Sequence, residues 1–487
     1  MISEPPRGNE IPAGDDERTL RRMGYTQELS RRMSGFSNYA ISLSIICILA
    51  GGITSFQVGF CSVGGAAIGI GWPIACLLSL VVAATMAQVA SAFPTAGGLY
   101  HWASILGGRG WGWLTAWFNL AGLVTVLAAI NAGAWDFVVG ALGLDLGQHG
   151  ALAKGVGIIG ITFSQALFNH KGIRVTTRLT DFSGWWILIF SLTLTIVLLA
   201  FSPGLHLERL WTFANYSGPA GSDTFPKVAN MAWLFALGLL LPAYTITGFD
   251  ASAHTSEETI GAARNVPRGI IRSVLVSGVF GWLLLCSIVL AMPDMNEAAA
   301  QGANVFYWVI HRTLPALLGK LMFVGIAVAQ YFCGLATLTS ASRMTYAFAR
   351  DGGLPAGLSK VSSNSRTPAK AIWCVAVAAV LFMLTVPYVT IAAVCVVFLY
   401  ISYVLPTVAG FFAHGSRWTH MGPWQLGRWY RPLAVVSACF CAFLILICMQ
   451  PPNQQAAWIV GGAVVLLAGL WFGIEKRRFR GPPRTDL

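Results

Sequence analysis

Charge is scarce in this chain: Asp, Glu, Lys and Arg make up 10% of its 487 residues, where a soluble domain carries about 25%. So few charges cannot cover a water-facing surface, which excludes an ordinary globular protein. No CxxC pair occurs among the ten cysteines, which lie mostly in apolar segments; Cys439 and Cys441 are two apart. That pattern argues against zinc or a disulfide framework and leaves small buried thiols. Residues 1–35 contain no apolar core and no small-residue cleavage site, so they read as a cytoplasmic tail rather than a signal peptide. No nucleotide-binding motif is present. No paired acids, histidine cluster or nucleophile motif stands inside the apolar segments, and no soluble stretch is large enough for an enzyme domain. The expectation is a non-enzyme without a cofactor.

What the chain has instead is apolar length. Hydrophobic residues make up 56% of it, and they fall in runs at or above the ~18–20 residues that cross a hydrocarbon core. The runs lie near 36–60, 69–92, 112–142, 151–169, 183–202, 229–251, 269–292, 315–349, 370–387, 389–413, 433–450 and 456–474. They predict an all-α polytopic membrane protein with twelve transmembrane helices. With the N-terminus inside, 26 of the 31 Lys and Arg fall on the cytoplasmic side. That asymmetry obeys the positive-inside rule and predicts both termini in the cytoplasm of a cell that carries the chain in its plasma or inner membrane. It also explains the net charge of +12 without nucleic acid. The C-terminal "EKRRFRGPPR" is expected to rest on anionic headgroups. Asn215-Tyr216-Ser217 is a glycosylation sequon by pattern alone.

Two spans are interrupted. In the first, Gly51 and Gly52 sit mid-membrane; in the sixth, Pro242 removes a backbone donor and Gly248 frees the chain again. Irregular backbone at membrane depth is tolerated only where it lines protein or a watery cavity. Transporters built from inverted repeats use matched breaks to bind substrate at the midplane, and spans 1 and 6 stand five apart, as a 5+5 repeat requires.

Four stretches then carry a family likeness: "SAFPTAGGLYHW" (91–102), "GFDASAHTSEETIGAARNVPRGI" (248–270), "SASRMTYAFARDGGLP" (340–355) and "TPAKA" (367–371). Together they resemble the amino acid–polyamine–organocation permeases, and most of all the amino acid/choline branch that includes fungal GABA permeases and choline carriers. The likeness runs from about residue 20 to 475. It implies a LeuT-type fold: a first repeat over 36–202, an inverted second repeat over 229–413, and helices 11 and 12 over 433–474, between an N-terminal tail (1–35) and a C-terminal tail (475–487). One position departs from many relatives, which carry a glutamate before "SAFP"; here it is Gln88.

Within that frame, the stretch Leu49–Ile53 is expected to expose free amides, so Ala50, Gly51, Gly52 and Ile53 are assigned to a substrate carboxylate. Carbonyls near Thr245, Ile246 and Thr247, next to Gly248, are expected to accept from a substrate ammonium. The resemblance places Tyr244 as an aromatic gate. Asp250 is an acid at a depth where charge is costly, and it either caps the second half of span 6 or senses protons. Glu257 and Glu258 are expected to meet Arg343 or Arg350 in an inner gate. Thr339 and Ser340 are the candidates for a Na⁺ site, as the resemblance to sodium-coupled carriers implies; span 5 lacks the lysine that some proton-coupled relatives carry. Coupling to H⁺ or to Na⁺ therefore stays open. Gly122 is expected to give the substrate room, and Asn119 to bond across helices.

The predicted function is a secondary transporter of a small amino acid, neutral or an ω-amino acid such as GABA. The alternatives are a choline or polyamine carrier of the same fold and a membrane nutrient sensor. The partners are the small-molecule substrate and the lipid bilayer, with monomer and homodimer both compatible with the sequence.

Overall fold

The computed structural model describes residues 13–386 and 388–483. Among them the only β-structure is two isolated bridges, Met33 with Thr259 and His414 with Trp418. The first third contains α1 (Ala13–Arg22), α2 (Gly35–Ile46), α3 (Phe56–Val63), α4 (Trp72–Ala92), α5 (Leu99–Gly107), α6 (Arg109–Leu142), α7 (Gly150–His170) and α8 (Ile173–Ala200). The middle contains α9 (Met231–Gly238), α10 (Leu240–Thr245), α11 (Ala251–His254), α12 (Ala262–Ala291), α13 (Met295–Ala299), α14 (Val305–Thr313) and α15 (Ala316–Arg350). The last part contains α16 (Ala369–Thr385), α17 (Tyr388–Ala413), α18 (Tyr430–Cys448) and α19 (Gln454–Leu470). Among the described residues ten helices are long and apolar enough to cross a membrane; two shorter apolar helices, Met231–Thr245 and Ala369–Thr385, fall where spans 6 and 9 are expected.

Burial sorts these helices into a core and a perimeter. The most apolar stretch of the Gly35–Gly52 helix is 83% buried and that of α15 is 72% buried, against 22% for the α7 region and 11% for the α19 region. The perimeter helices expose Phe163, Trp185, Ile189 and Val465, as lipid-facing helices should. With no hydrophobic drive between helices in lipid, close approach depends on small residues. A Cβ at Gly281 would lie 2.4 Å from the Trp72 ring, and that indole donates to the Gly278 carbonyl at 2.8 Å.

The two interruptions expected in spans 1 and 6 are present. The chain leaves α2 at Cys47 and continues as a π-helical turn over Ile48–Gly52 before α3. Span 6 stops at Thr245, and Gly248, at φ +86°, turns the chain before α11. A side chain at Gly248 would be strained at that φ, and its Cβ would meet Ile45 at 2.2 Å.

Residues 13–33 are not a loose tail. Asp16 accepts from the N–H groups of Gly261 (2.7 Å) and Ala262 (3.1 Å) and so caps α12. Arg32 and Met33 donate their backbone N–H to the Glu258 carbonyl, both at 2.8 Å. Leu20, Met23, Leu29 and Met33 are buried. The sequence reading missed this packing because these few apolar residues are spread among charged ones. The end of the molecule that carries this segment is called the tail face below, and the opposite end the far face. The C-terminal basic run also packs inward: Phe479 is fully buried against Tyr100 and Phe348, rather than resting wholly outside.

Candidate functional site

The two breaks face each other. A Cβ on Gly51 would come within 2.9 Å of the Thr245 Cα, so glycine is what lets the two backbones meet. At the break in span 6, the carbonyl oxygens of Thr245, Ile246 and Thr247 accept no hydrogen bond among the described residues. The hydroxyls of Thr245 and Thr247 are taken up by the Leu241 and Tyr244 carbonyls (2.8 and 2.9 Å). Three carbonyls are therefore left to receive a donor.

The break in span 1 differs from expectation by two residues. The N–H groups of Ala50 and Gly51 are not free; both go to the Cys47 carbonyl, at 2.8 and 3.0 Å. The amides without an acceptor among the described residues are those of Ile48 and Leu49. The physical reason is the irregular backbone at Cys47 (φ 17°, ψ 89°), which ends α2 and starts a new turn whose first amides are orphaned as at any helix start. Gly52 packs beside Leu285 and Thr245, and Ile53 lines a cavity toward the far face.

A Cβ on Gly122 would meet Leu399 at 2.7 Å, so this glycine packs against α17. The Thr339 hydroxyl lies within hydrogen-bond distance of the Asn169 Oδ1 (2.7 Å) and of the Leu335 carbonyl (2.9 Å), so it faces α7. Ser340 is buried with no hydrogen-bond partner among the described residues. The α15 side chains that touch span 1 at its break are instead Cys333, whose thiol faces the Ile45 carbonyl at 3.3 Å, and Gln330, whose amide faces the Leu49 carbonyl at 3.5 Å. The missed signal is spacing: these residues sit about two turns nearer the middle of α15.

Asp250 precedes α11, yet its carboxylate caps nothing there. It is fully buried and accepts from Tyr403 (2.8 Å) and Asn119 (3.0 Å), with the His254 Nε2 3.2 Å away. The Tyr403 hydroxyl also accepts the Gly248 N–H at 3.0 Å, and the His254 Nδ1 faces the Ala96 carbonyl at 3.3 Å. The Ala96 N–H in turn donates to Glu257 at 3.1 Å. A chain of polar contacts thus runs from the break in span 6 to the tail face. Sequence reading found Asp250 and Asn119 but not His254 or Tyr403, whose role needs α17 folded against α11.

At the tail face, Glu258 and Arg343 form a fully buried bidentate pair (3.0 and 3.1 Å). Glu257 pairs with Arg350 (2.9 Å). Asp351 then accepts from Tyr25 (2.8 Å) and Tyr100 (2.7 Å). His101 donates to the Tyr25 oxygen and accepts at Nδ1 from Thr95 (2.7 Å), since the one Tyr25 proton is committed to Asp351. Burial pushes the His101 imidazolium down to about 3 and raises the Tyr25 phenol well above its ordinary range. Gln88 accepts from the Leu426 N–H (2.7 Å) and ties down the α17–α18 connection.

Toward the far face, a cavity of about 460 Å³ is lined by Ile53, Thr54, Asp136 and Tyr307 among others. A smaller one of about 90 Å³ is lined by Tyr244, Thr54 and Gln57.

A family model for amino acid permeases matches residues 33–471. The chain belongs to the amino acid permease family, within the amino acid–polyamine–organocation superfamily. It is 31% identical to the amino-acid permease BAT1 of Arabidopsis thaliana, over 95% of each chain. It is 28% identical to the GABA-specific permease of Saccharomyces cerevisiae, over 97% of this chain and 86% of that one. A putative polyamine transporter of Candida albicans is 25% identical, over 97% and 89%. The chain is a multi-pass membrane permease, and its relatives are named permeases and transporters rather than enzymes.

Proposed function

We propose that this permease carries a small zwitterionic amino acid, neutral or ω-amino such as GABA, through alternating exposure of a site between spans 1 and 6. The observation that carries the reading is the pairing of opposite orphan groups: amides of Ile48 and Leu49 on one break, carbonyls of Thr245, Ile246 and Thr247 on the other. Unpaired backbone groups in a buried site are costly unless a ligand meets them, and a carboxylate with an ammonium meets both kinds. The reading includes twelve spans, repeats over 36–202 and 229–413, helices 11 and 12 over 433–474, and tails at 1–35 and 475–487. The tail face is cytoplasmic in this reading. The open far-face cavities and the shut tail face correspond to an outward-facing state, with Glu257, Glu258, Arg343 and Arg350 as the inner gate.

For coupling, the geometry favours a proton. Both ring nitrogens of His254 face acceptors, the Ala96 carbonyl and Asp250, and this buried pair is the candidate carrier of the coupled proton. The facing groups from packed helices are Tyr403 and the neutral Asn119; the nearest cations on α15, Arg343 and Arg350, are held by Glu258 and Glu257. A sodium ion would find a thiol and an amide where α15 meets span 1, and a thiol suits a hard cation poorly.

Reconstituted protein is assayed for uptake of labelled GABA, neutral amino acids, choline and spermidine, with Na⁺ or K⁺ outside and with or without an inward proton gradient. Accumulation of an amino acid driven by the proton gradient is expected. His254→Gln should remove the gradient's effect while leaving exchange of amino acid for amino acid. Uptake of choline or spermidine alone would overturn the substrate reading, and a strict Na⁺ requirement would overturn the proton.

A further inference from the structure

The connection from α7 to α8 carries cations that the transport cycle above does not use. Lys171 and Arg174 line a tail-face cavity of about 490 Å³ together with Arg32 from the N-terminal segment and Arg366 from the α15–α16 connection. Asn364 and Ser365 supply further polar groups, and no carboxylate lines the cavity. None of the four cations pairs with an acid among the described residues. Arg31, Arg343 and Arg350 on the same face meet carboxylates instead. The four cavity cations are exposed, and gathered around one cavity they raise a positive potential that favours an anion, screened by salt.

Three further observations fit an anionic occupant. Gly172 and Ile173, at the start of the 28-residue α8, form part of the wall, so the positive end of that helix dipole adds to the field. Arg366 is held at φ +49°, a left-handed conformation that non-glycine residues avoid. Its N–H is tied to the Ser362 carbonyl at 2.9 Å and the Ser362 N–H to the Thr367 carbonyl at 2.9 Å, which fixes the loop that presents the guanidinium. Finally, α7 and α8 are perimeter helices whose neighbouring turns expose Phe163, Leu167, Phe182 and Trp185. The cavity therefore lies at the rim where these helices leave the apolar layer.

We propose that this cavity binds a phosphate group, either on an anionic lipid headgroup or as the free ion, and that the bound group ties the N-terminal segment to the α7–α8 and α15–α16 connections. Arginine and lysine recognise phosphate by charge-assisted hydrogen bonds, and the cavity is larger than a bare phosphate needs.

The test uses the full chain in detergent and in nanodiscs. One arm measures, by native mass spectrometry, retention of phosphatidylinositol 4-phosphate against phosphatidylcholine. The other measures thermal stability against inorganic phosphate at constant ionic strength. Lys171→Ala/Arg174→Ala/Arg366→Ala is compared with the control Arg264→Ala/Arg268→Ala/Arg417→Ala, which removes the same charge elsewhere on this face. Preferential retention of the phosphorylated lipid, reduced roughly tenfold or more in the cavity variant but not the control, assigns a headgroup site. A phosphate-dependent rise in melting temperature lost only in the cavity variant assigns the free ion. Equal behaviour of the two triple variants in both arms overturns the proposal, and Arg366→Glu repeats the comparison if the triple variant aggregates. Transport is not read in either arm, so failure of the site and failure of the transporter reading remain separate.

Discussion

The two faces of the molecule are built differently. Toward the far face, spans 1 and 3 and the stretch 303–307 stand apart around a cavity of about 460 Å³, and the ion pair nearby, Lys154 with Asp136, is half-exposed. At the tail face, two carboxylate–arginine pairs, two tyrosines on one aspartate and a folded N-terminal segment fill the same cross-section. Exposed ion pairs contribute little to stability. Buried ones are hard to break singly, because the partner left behind is an uncompensated charge. The far face is thus held by packing that can slide, and the tail face by contacts that must break together.

The sharpest way to break the comparison is Arg343→Ala. Glu258 would be left fully buried without its bidentate partner, at a cost of about 3–5 kcal/mol. The expected outcome is a large fall in melting temperature, with faster thiol labelling of cysteines introduced on the tail face. The matching change on the far face, Lys154→Ala, should shift stability by about 1 kcal/mol at most. Equal effects from the two variants would erase the distinction.

Acid should loosen the tail face selectively. His101 is neutral in the fold, with its imidazolium pushed down to about 3. The unfolded chain takes up the proton near pH 6.5 and the folded chain does not. Stability from this residue is therefore fully present above that pH and is lost as pH falls from about 6.5 toward 3, by at most about 1.4 kcal/mol per unit. Hydrogen exchange at pH 7.5 and 5.5 should show faster opening of residues 95–101 in acid, and His101→Gln should flatten that dependence.

A small effect is also expected of Asp16→Ala. Removing the cap on Gly261 and Ala262 should cost about 1 kcal/mol and raise hydrogen exchange around 256–264 without altering the far face. An unchanged exchange pattern would mean that the N-terminal segment is held without its cap.

What could be read in advance follows from periodicity and punctuation. Long apolar runs marked most helix ends to within a few residues, though α8 and α12 begin well before the predicted 183 and 269 because their first turns are polar; Gly51, Pro242 and Gly248 marked the breaks because a backbone irregularity needs such residues. The acids at 250, 257 and 258 stood out because charge is rare in apolar surroundings. The partners did not. His254 and Tyr403 are unremarkable on their own helices, and only the packing of α17 on α11 gives them an aspartate to share. The orphan amides fell at Ile48 and Leu49 rather than at the glycines, because sequence shows where winding fails but not in which direction the helix re-forms. At Gly122 and Thr339 the neighbours, Leu399 and Asn169, likewise come from the packing and not from the sequence.

The burial of Phe479 has a consequence for how the protein is made. Tyr25 emerges early in synthesis, but its partner Asp351 lies more than 300 residues later, and the ring that closes over the same spot comes only at Phe479. Chains are elongated at about 5–20 residues per second, so the N-terminal segment must wait tens of seconds before its seat exists. Until Phe479 has emerged, the newborn permease has one side unfinished, and any quality control that inspects exposed Leu20, Met23 and Leu29 has that interval in which to act.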